Sequence, residues 1–208
     1  MKYVVTVPEQ EFIVDSESPE EAVEQVLDFE TIDAYAGRYY EQPSVPSPGM
    51  NPEHYIMKLF RESSAWEAGL HKYIRCSDSI CFTDLKRLYI YNETPDFLNK
   101  YEEFAPIESS LEVFENCLSK KAFDDAVCRL KVDVNDVASI VTKEHIDPYY
   151  ELKAGDKSIC VNGRFLLEAL YFTESNEVRF SENPRKMIYV GSYDSARRSG
   201  VLPVGNGR

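Results

Sequence analysis

The side chains able to do chemistry are few and scattered. The three histidines, His54, His71 and His145, stand in unrelated contexts, and none has a Ser, Cys or Asp beside it in a nucleophile motif. They read as exposed or hydrogen-bonded structural histidines. The five cysteines (Cys76, Cys81, Cys117, Cys128, Cys160) are odd in number, and several sit inside apolar runs. A zinc site calls for a closely spaced cysteine pair with a histidine nearby, whereas Cys76 and Cys81 are five apart with no histidine in a ligand-like motif. Buried free thiols are therefore expected, with no metal and no cofactor. The nine glycines are dispersed and no Gly-Lys-Ser/Thr occurs, so no phosphate-cradling loop is expected. Asp84 and Arg87, three apart beside an apolar run, suit an ion pair or a turn-capping aspartate better than a binding role. No catalytic constellation emerges, and a non-enzymatic protein is expected.

Two groups of residues suit recognition instead. Arg179, Arg185, Lys186, Arg197 and Arg198 fall near expected strand ends and turns, where they could gather into one partner or DNA surface, although solvated charge is the plainer reading. Tyr35, Tyr39 and Tyr40 are candidate protein-contact anchors, or else pack one unit on another.

The elements that must position these residues begin with 208 residues, 43% hydrophobic and 12% aromatic, enough for a packed core. No apolar run approaches the roughly 18 residues that span a bilayer, and the N-terminus turns acidic at Glu9, so a cytoplasmic protein with no membrane partner is expected. The net charge of −13 is uneven: Glu151 to Arg208 carries nine Lys/Arg against seven Asp/Glu, leaving −15 for the first 150 residues. Such acidity repels nucleic acid unless the cations are segregated, and it also serves solubility alone.

The fold class expected is α+β. Residues 1–40 read as a ββα module: strands over Tyr3–Val7 and Glu11–Asp15 about Pro8-Glu9-Gln10, then a helix opened by Ser18-Pro19-Glu20-Glu21. The run 41–52, with Pro43, Pro46, Pro48 and Pro52, reads as a stiff linker. Residues 53–208 read as one α+β domain. A helix is expected from Glu53 to Leu70, then strands over Lys72–Cys76, Ser79–Thr83 and Leu88–Tyr91. Helices are expected near Pro95–Phe104 and Ser109–Asp125. Strands over Ala126–Val134 and Ala138–Thr142 follow, with a short helix as the alternative for the second. The C-terminal order is β-α-β-β-β: Lys157–Val161, helix Arg164–Phe172, Glu177–Ser181, Lys186–Val190, and Val201–Val204 closing an antiparallel sheet.

The phrase Ile159-Cys160-Val161-Asn162-Gly163-Arg164-Phe165-Leu166-Leu167-Glu168-Ala169-Leu170, followed by Glu177–Ser181 and Val201-Leu202-Pro203-Val204, resembles half of a domain of the bacterial DNA polymerase III beta sliding clamp. Upstream, Ile80-Cys81-Phe82-Thr83-Asp84-Leu85-Lys86-Arg87-Leu88 resembles that family's Thr-Asp-x-x-Arg-Leu strand. The ββα pattern at the N-terminus is similar to small modules of mobile-element proteins. The resemblance implies a clamp-like main domain with an insertion at about 93–156, and a protein partner that processes DNA. It leaves DNA contact and homo-oligomer formation through an edge strand near Val201–Val204 open. A clamp subunit carries three such domains and this chain has room for one, and Arg164 is the only cation on the helix that resembles the clamp's DNA-facing one. The expected function is an accessory or interaction protein of a mobile element or prophage. The alternative is an acidic inhibitor that imitates DNA and occupies a nuclease or restriction enzyme, and an enzyme of unrecognised type is a third reading.

Overall fold

The computed structural model describes residues 2–7, 10–15, 35–38, 48–62, 72–76, 79–104, 108–143, 148–181, 183 and 185–204. The chain divides into two compact units, Met1–Ser44 and Val45–Arg208.

In the first unit β1 (Lys2–Val7) and β2 (Gln10–Asp15) form the expected antiparallel hairpin, with Val7 opposite Gln10. A third strand, β3 (Tyr35–Arg38), adds to the other edge of β1, so the sheet order is β2-β1-β3. The sequence reading has no strand there: Tyr-Ala-Gly-Arg has little β character, and pairing with β1 supplies what propensity does not. The expected helix after Ser18 lies outside the described residues.

The second unit is built on a seven-stranded, wholly antiparallel sheet in the order β4-β5-β6-β12-β11-β10-β7. Its strands are β4 (Ile74–Cys76), β5 (Ser79–Thr83), β6 (Arg87–Tyr91), β7 (Cys128–Lys131), β10 (Glu177–Phe180), β11 (Ile188–Val190) and β12 (Arg197–Val201). The central pairing of β6 with β12, Val201 opposite Arg87 and Arg197 opposite Tyr91, joins segments about a hundred residues apart. A separate two-stranded ribbon is made by β8 (Tyr149–Ala154) and β9 (Lys157–Asn162).

Because successive strand residues point to opposite faces, the sheet can be buried on both, and here it is. Tyr89 and Tyr91 pack with Tyr55, Ile56 and Leu59 of helix α1 (Pro52–Glu62), while Leu88 and Ile90 pack with Leu118 at the end of helix α2 (Glu108–Leu118). Phe123 of the short helix α3 (Lys120–Asp125) meets Tyr189 on that second face. Helix α4 (Val134–Lys143) and helix α5 (Gly163–Thr173) close the core over Val178, Phe180, Ile188, Val190 and Val201. The fold is thus α+β with helices on both sides of one antiparallel sheet.

Helix α5 starts where the Asn162 side chain accepts hydrogen bonds from the amides of Arg164 and Phe165, and ends with Glu174 in the left-handed conformation. Gly163 lies against the Pro148 carbonyl, 3.2 Å from where a Cβ would stand.

Several expectations are corrected. Pro95–Phe104 holds only a single 3-10 turn, Leu98–Lys100, since Leu98 caps back onto Pro95 and the chain then bridges Glu103 to Tyr73. Ser109–Asp125 is two helices, because Ser119 leaves helical geometry to cap α3 through Ala122 N. Ala138–Thr142 is helical within α4, whose Val137 and Val141 are four apart and buried together. The strand β8 has no counterpart in the sequence reading, its polar and aromatic run lacking clean alternation. The last strand is Arg197–Val201, not Val201–Val204, and it lies inside the sheet between β6 and β11, so it is not the edge strand expected there for homo-oligomer formation. Beyond Val201 the chain leaves β6 and runs to β9, with Pro203 bridging Val161 and Val204 N donating to the Cys160 carbonyl.

Candidate functional site

The turn between β5 and β6 is held by side-chain hydrogen bonds on both sides. Thr83 Oγ1 donates to the Arg87 carbonyl at 3.0 Å and accepts from Leu85 N at 2.9 Å. Asp84 Oδ1 accepts from the amides of Lys86 and Arg87 at 3.0 and 2.9 Å, while Oδ2 accepts from Arg87 Nε at 3.0 Å. Asp84 is therefore both the turn cap and the ion-pair partner that the sequence offered as alternatives. Between these brackets Leu85 adopts φ 68°, a left-handed conformation costing a leucine roughly 1–2 kcal/mol.

Beneath the turn lies a buried ion cluster. The Arg87 guanidinium also donates to Glu168 of α5. Glu168 Oε2 accepts from the Tyr89 hydroxyl at 2.9 Å, and Lys58 of α1 puts its Nζ 2.6 Å from Oε1. Glu168 is 0% exposed and Arg87 2%, with Asp84 and Lys58 also buried. Burial by itself pushes the Glu168 carboxyl up, but the charges of Arg87 and Lys58 and the hydrogen bonds from Lys58 and Tyr89 outweigh it and hold the pKa below the usual carboxylate value. Nearby Tyr55 is pushed up to about 12 by burial and by the Glu168 charge. The Phe165 ring stacks on Arg87, 4.4 Å from the guanidinium carbon. Two opposite-charge pairs locked this way tie the β5–β6 turn to α1 and α5.

Two leucines stand exposed at this turn. Leu85 is 47% exposed and Leu202 39%, and the two flank exposed Lys86, whose carbonyl accepts from Leu202 N at 2.8 Å. Lone exposed leucines are ordinary. A leucine held outward in a strained conformation by a buried ion cluster is less so.

The five cations offered as a common surface are divided. Arg185 and Lys186 are exposed in the turn before β11. Arg197 lies on the α5 side of β12, paired with Glu174 at 2.8 Å. Arg198, the next residue, points to the opposite face and is buried, donating to the Leu118 carbonyl at 3.1 Å with the Tyr193 ring 4.2 Å away. Arg179 stacks on Phe123 at 4.4 Å. The strand shift of the last segment is the reason: Arg197 and Arg198 are the first two residues of β12, where alternation separates them, rather than part of a turn ahead of it. Tyr35 is in β3, and Tyr39 and Tyr40 lie outside the described residues. Among the described residues no cluster of His, Cys, Asp or Glu could hold a metal ion, and no helix is long and apolar enough to cross a membrane.

Lys58 and Glu168 were missed as functional candidates. Their signal is a charge inside an apolar stripe: Tyr55-Ile56-x-Lys58-Leu59 and Leu166-Leu167-Glu168-Ala169-Leu170. A carboxylate facing a core needs a partner.

No protein-family model matches the chain, and no curated protein matches its sequence. Among solved structures the chain is similar to a Helicobacter pylori beta clamp bound to a DNA ligase peptide, with a TM-score of 0.48 and 12% identity over 98% of this chain and 74% of that one. It is also similar to a putative DNA polymerase III beta subunit from Eubacterium rectale, with a TM-score of 0.43 and 13% identity over the same shares.

Proposed function

We propose that this protein is a non-enzymatic accessory protein that docks a DNA-processing protein through the Leu85–Leu202 surface, and that it belongs to a mobile element or prophage. The observation that carries the docking reading is the exposed, left-handed Leu85 braced by Asp84, Arg87 and Glu168. Strain kept on the surface at the expense of a fully buried ion cluster has no use in a passive turn, where glycine would serve at no steric cost. It has a use where an apolar side chain must be presented in one orientation, since a rigid anchor loses little entropy on binding. The DNA-processing character of the partner and the mobile-element origin are supported by the local sequence resemblances. Both segments of the clamp resemblance, Ile80–Leu88 and Ile159–Leu170, contribute to this one cluster through Arg87 and Glu168.

The test is affinity capture of the tagged protein from its own cell extract, with and without nuclease, beside a Leu85→Asp/Leu202→Asp variant. Fully burying a leucine contributes about 1.5–3 kcal/mol, and these two have less than half of their surface left to bury, so the double variant loses capture by roughly tenfold or more. A replication or DNA-transfer protein recovered by the wild type, resistant to nuclease and lost from the variant, is the expected result. Equal recovery by both overturns the docking surface. The net charge of −13 favours a second reading, an acidic inhibitor that imitates DNA. Recovery of a nuclease or restriction subunit by both proteins selects that reading.

A further inference from the structure

A cavity of about 620 Å³ opens at the other end of β6, between the start of α1, the loop after Tyr91 and the first residues of β12. It is separate from the Leu85–Leu202 surface. Three carboxylates, Glu53, Glu93 and Asp96, and two cations, Lys100 and Arg197, line it. Both cations are already neutralised. Lys100 Nζ lies 2.8 and 2.9 Å from the two Glu53 oxygens, and Arg197 is held by Glu174. Among the described residues Glu93 and Asp96 have no cationic partner.

The floor carries the second observation. Tyr91 lines the cavity, is 5% exposed, and its hydroxyl has no hydrogen-bond partner among the described residues. Leaving such a group unsatisfied costs about 1–3 kcal/mol. Burial pushes its pKa up, so the phenol stays neutral and can accept a hydrogen bond. The Phe97 ring stands edge-on to Tyr91, with centroids 5.7 Å apart. The loop is set in advance: Asn92 Nδ2 donates to the carbonyls of Tyr193 and Ser195 at 3.0 and 2.7 Å, and Leu98 N donates to the Pro95 carbonyl.

An anion here would meet Glu93 and Asp96 and would have to displace Glu53 from Lys100. A cation meets two free carboxylates, an acceptor hydroxyl and an aromatic side chain. A guanidinium offers five donors in a plane and stacks on rings, where an ammonium is a compact, strongly hydrated point charge. We propose that this cavity binds a guanidinium group, held by Glu93 and Asp96 against Phe97, with one N–H reaching the Tyr91 hydroxyl. The group is the side chain of an arginine in a polypeptide or a free guanidino compound.

The test titrates the full chain with blocked arginine (N-acetyl-arginine N-methylamide), its uncharged citrulline counterpart, blocked lysine and inorganic phosphate, reading backbone amide chemical shifts. Blocked arginine is expected to shift the amides of residues 93–97 and 196–197, with the citrulline compound at least about tenfold weaker, since charge-assisted hydrogen bonds are roughly twice as strong as neutral ones. Glu93→Gln/Asp96→Asn, at two exposed positions, weakens blocked arginine about tenfold or more, and Tyr91→Phe about threefold, in keeping with one net hydrogen bond. Tighter binding of a blocked Gly-Arg-Gly peptide than of blocked arginine assigns the polypeptide source, and equal binding the small molecule. Equal binding of arginine and citrulline compounds, binding of lysine as tight as arginine, or shifts caused by phosphate instead, overturns the proposal. Because the Leu85–Leu202 surface is untouched by these variants, failure here leaves the docking reading standing, and the reverse also holds.

Discussion

Glu168→Gln tests whether the buried ion cluster is held by charge. The substitution keeps shape and an oxygen for Tyr89, but leaves Lys58 and Arg87 facing a neutral amide at a fully buried position. Breaking a buried pair costs about 3–5 kcal/mol, because the remaining ion has neither water nor a counter-charge. Arg87 retains Asp84, whose Oδ2 is 3.0 Å from Nε, so the lower figure applies, about 3 kcal/mol. For a unit of this size that lowers the melting temperature by roughly 6–12 °C. Urea unfolding followed by far-UV circular dichroism is the assay. Lys58→Met in the Glu168→Gln background removes the ammonium that Glu168 pairs with, so the double variant is more stable than the sum of the two single losses by about 1 kcal/mol or more. A loss below about 1 kcal/mol for Glu168→Gln, or additivity within about 0.5 kcal/mol, refutes the idea that these charges hold one another.

Three further outcomes follow from the same structure. The Glu168 pKa is held below its unfolded value, so its contribution is complete above the ordinary carboxylate range and is lost as pH falls through the folded pKa; acid titration of unfolding free energy should show a low-pH loss that is smaller in Glu168→Gln. Leu85→Gly relieves left-handed strain while loosening the unfolded chain by a similar amount, about 1 kcal/mol each way, so thermal stability stays near wild type while partner capture falls about tenfold or more. Gly200→Ala places a Cβ 2.1 Å from Met187 Sδ, so calorimetry should read a loss of about 1–2 kcal/mol, largely recovered when Met187→Ala makes room.

The elements legible in the sequence were those whose periodicity and end signals agree. The strands Ser79–Thr83 and Arg87–Tyr91 are compact apolar runs broken by Asp84, and α5 has an asparagine cap ahead of a leucine-rich stripe. The unreadable parts depend on partners distant in the chain. Whether Val201–Val204 or Arg197–Val201 closes the sheet is decided by pairing with β6, about a hundred residues upstream, and polar Arg-Arg-Ser-Gly announces no strand by itself. That one register shift also undid the common cationic surface, by putting Arg197 and Arg198 on opposite faces. Asp84 and Arg87 were legible as a pair because they are three apart. Lys58 and Glu168 were not, because nothing local links a lysine on one helix to a glutamate 110 residues later.

The position of the ion cluster bears on why it is polar at all. Replacing a buried ion cluster by hydrophobic side chains of similar volume is often neutral or stabilising. A packed apolar junction, however, fixes no orientation for the β5–β6 turn, since only the Arg87 fork can bind Asp84 at one end and Glu168 at the other. Asp84, so anchored, holds the amides of Lys86 and Arg87, and with Thr83 leaves Leu85 no conformation but the left-handed one. Helix α1 enters through Lys58 and α5 through Glu168, so a displacement of either helix is felt at the turn. The cluster thus converts the packing of two helices on one sheet face into the direction of a single exposed leucine.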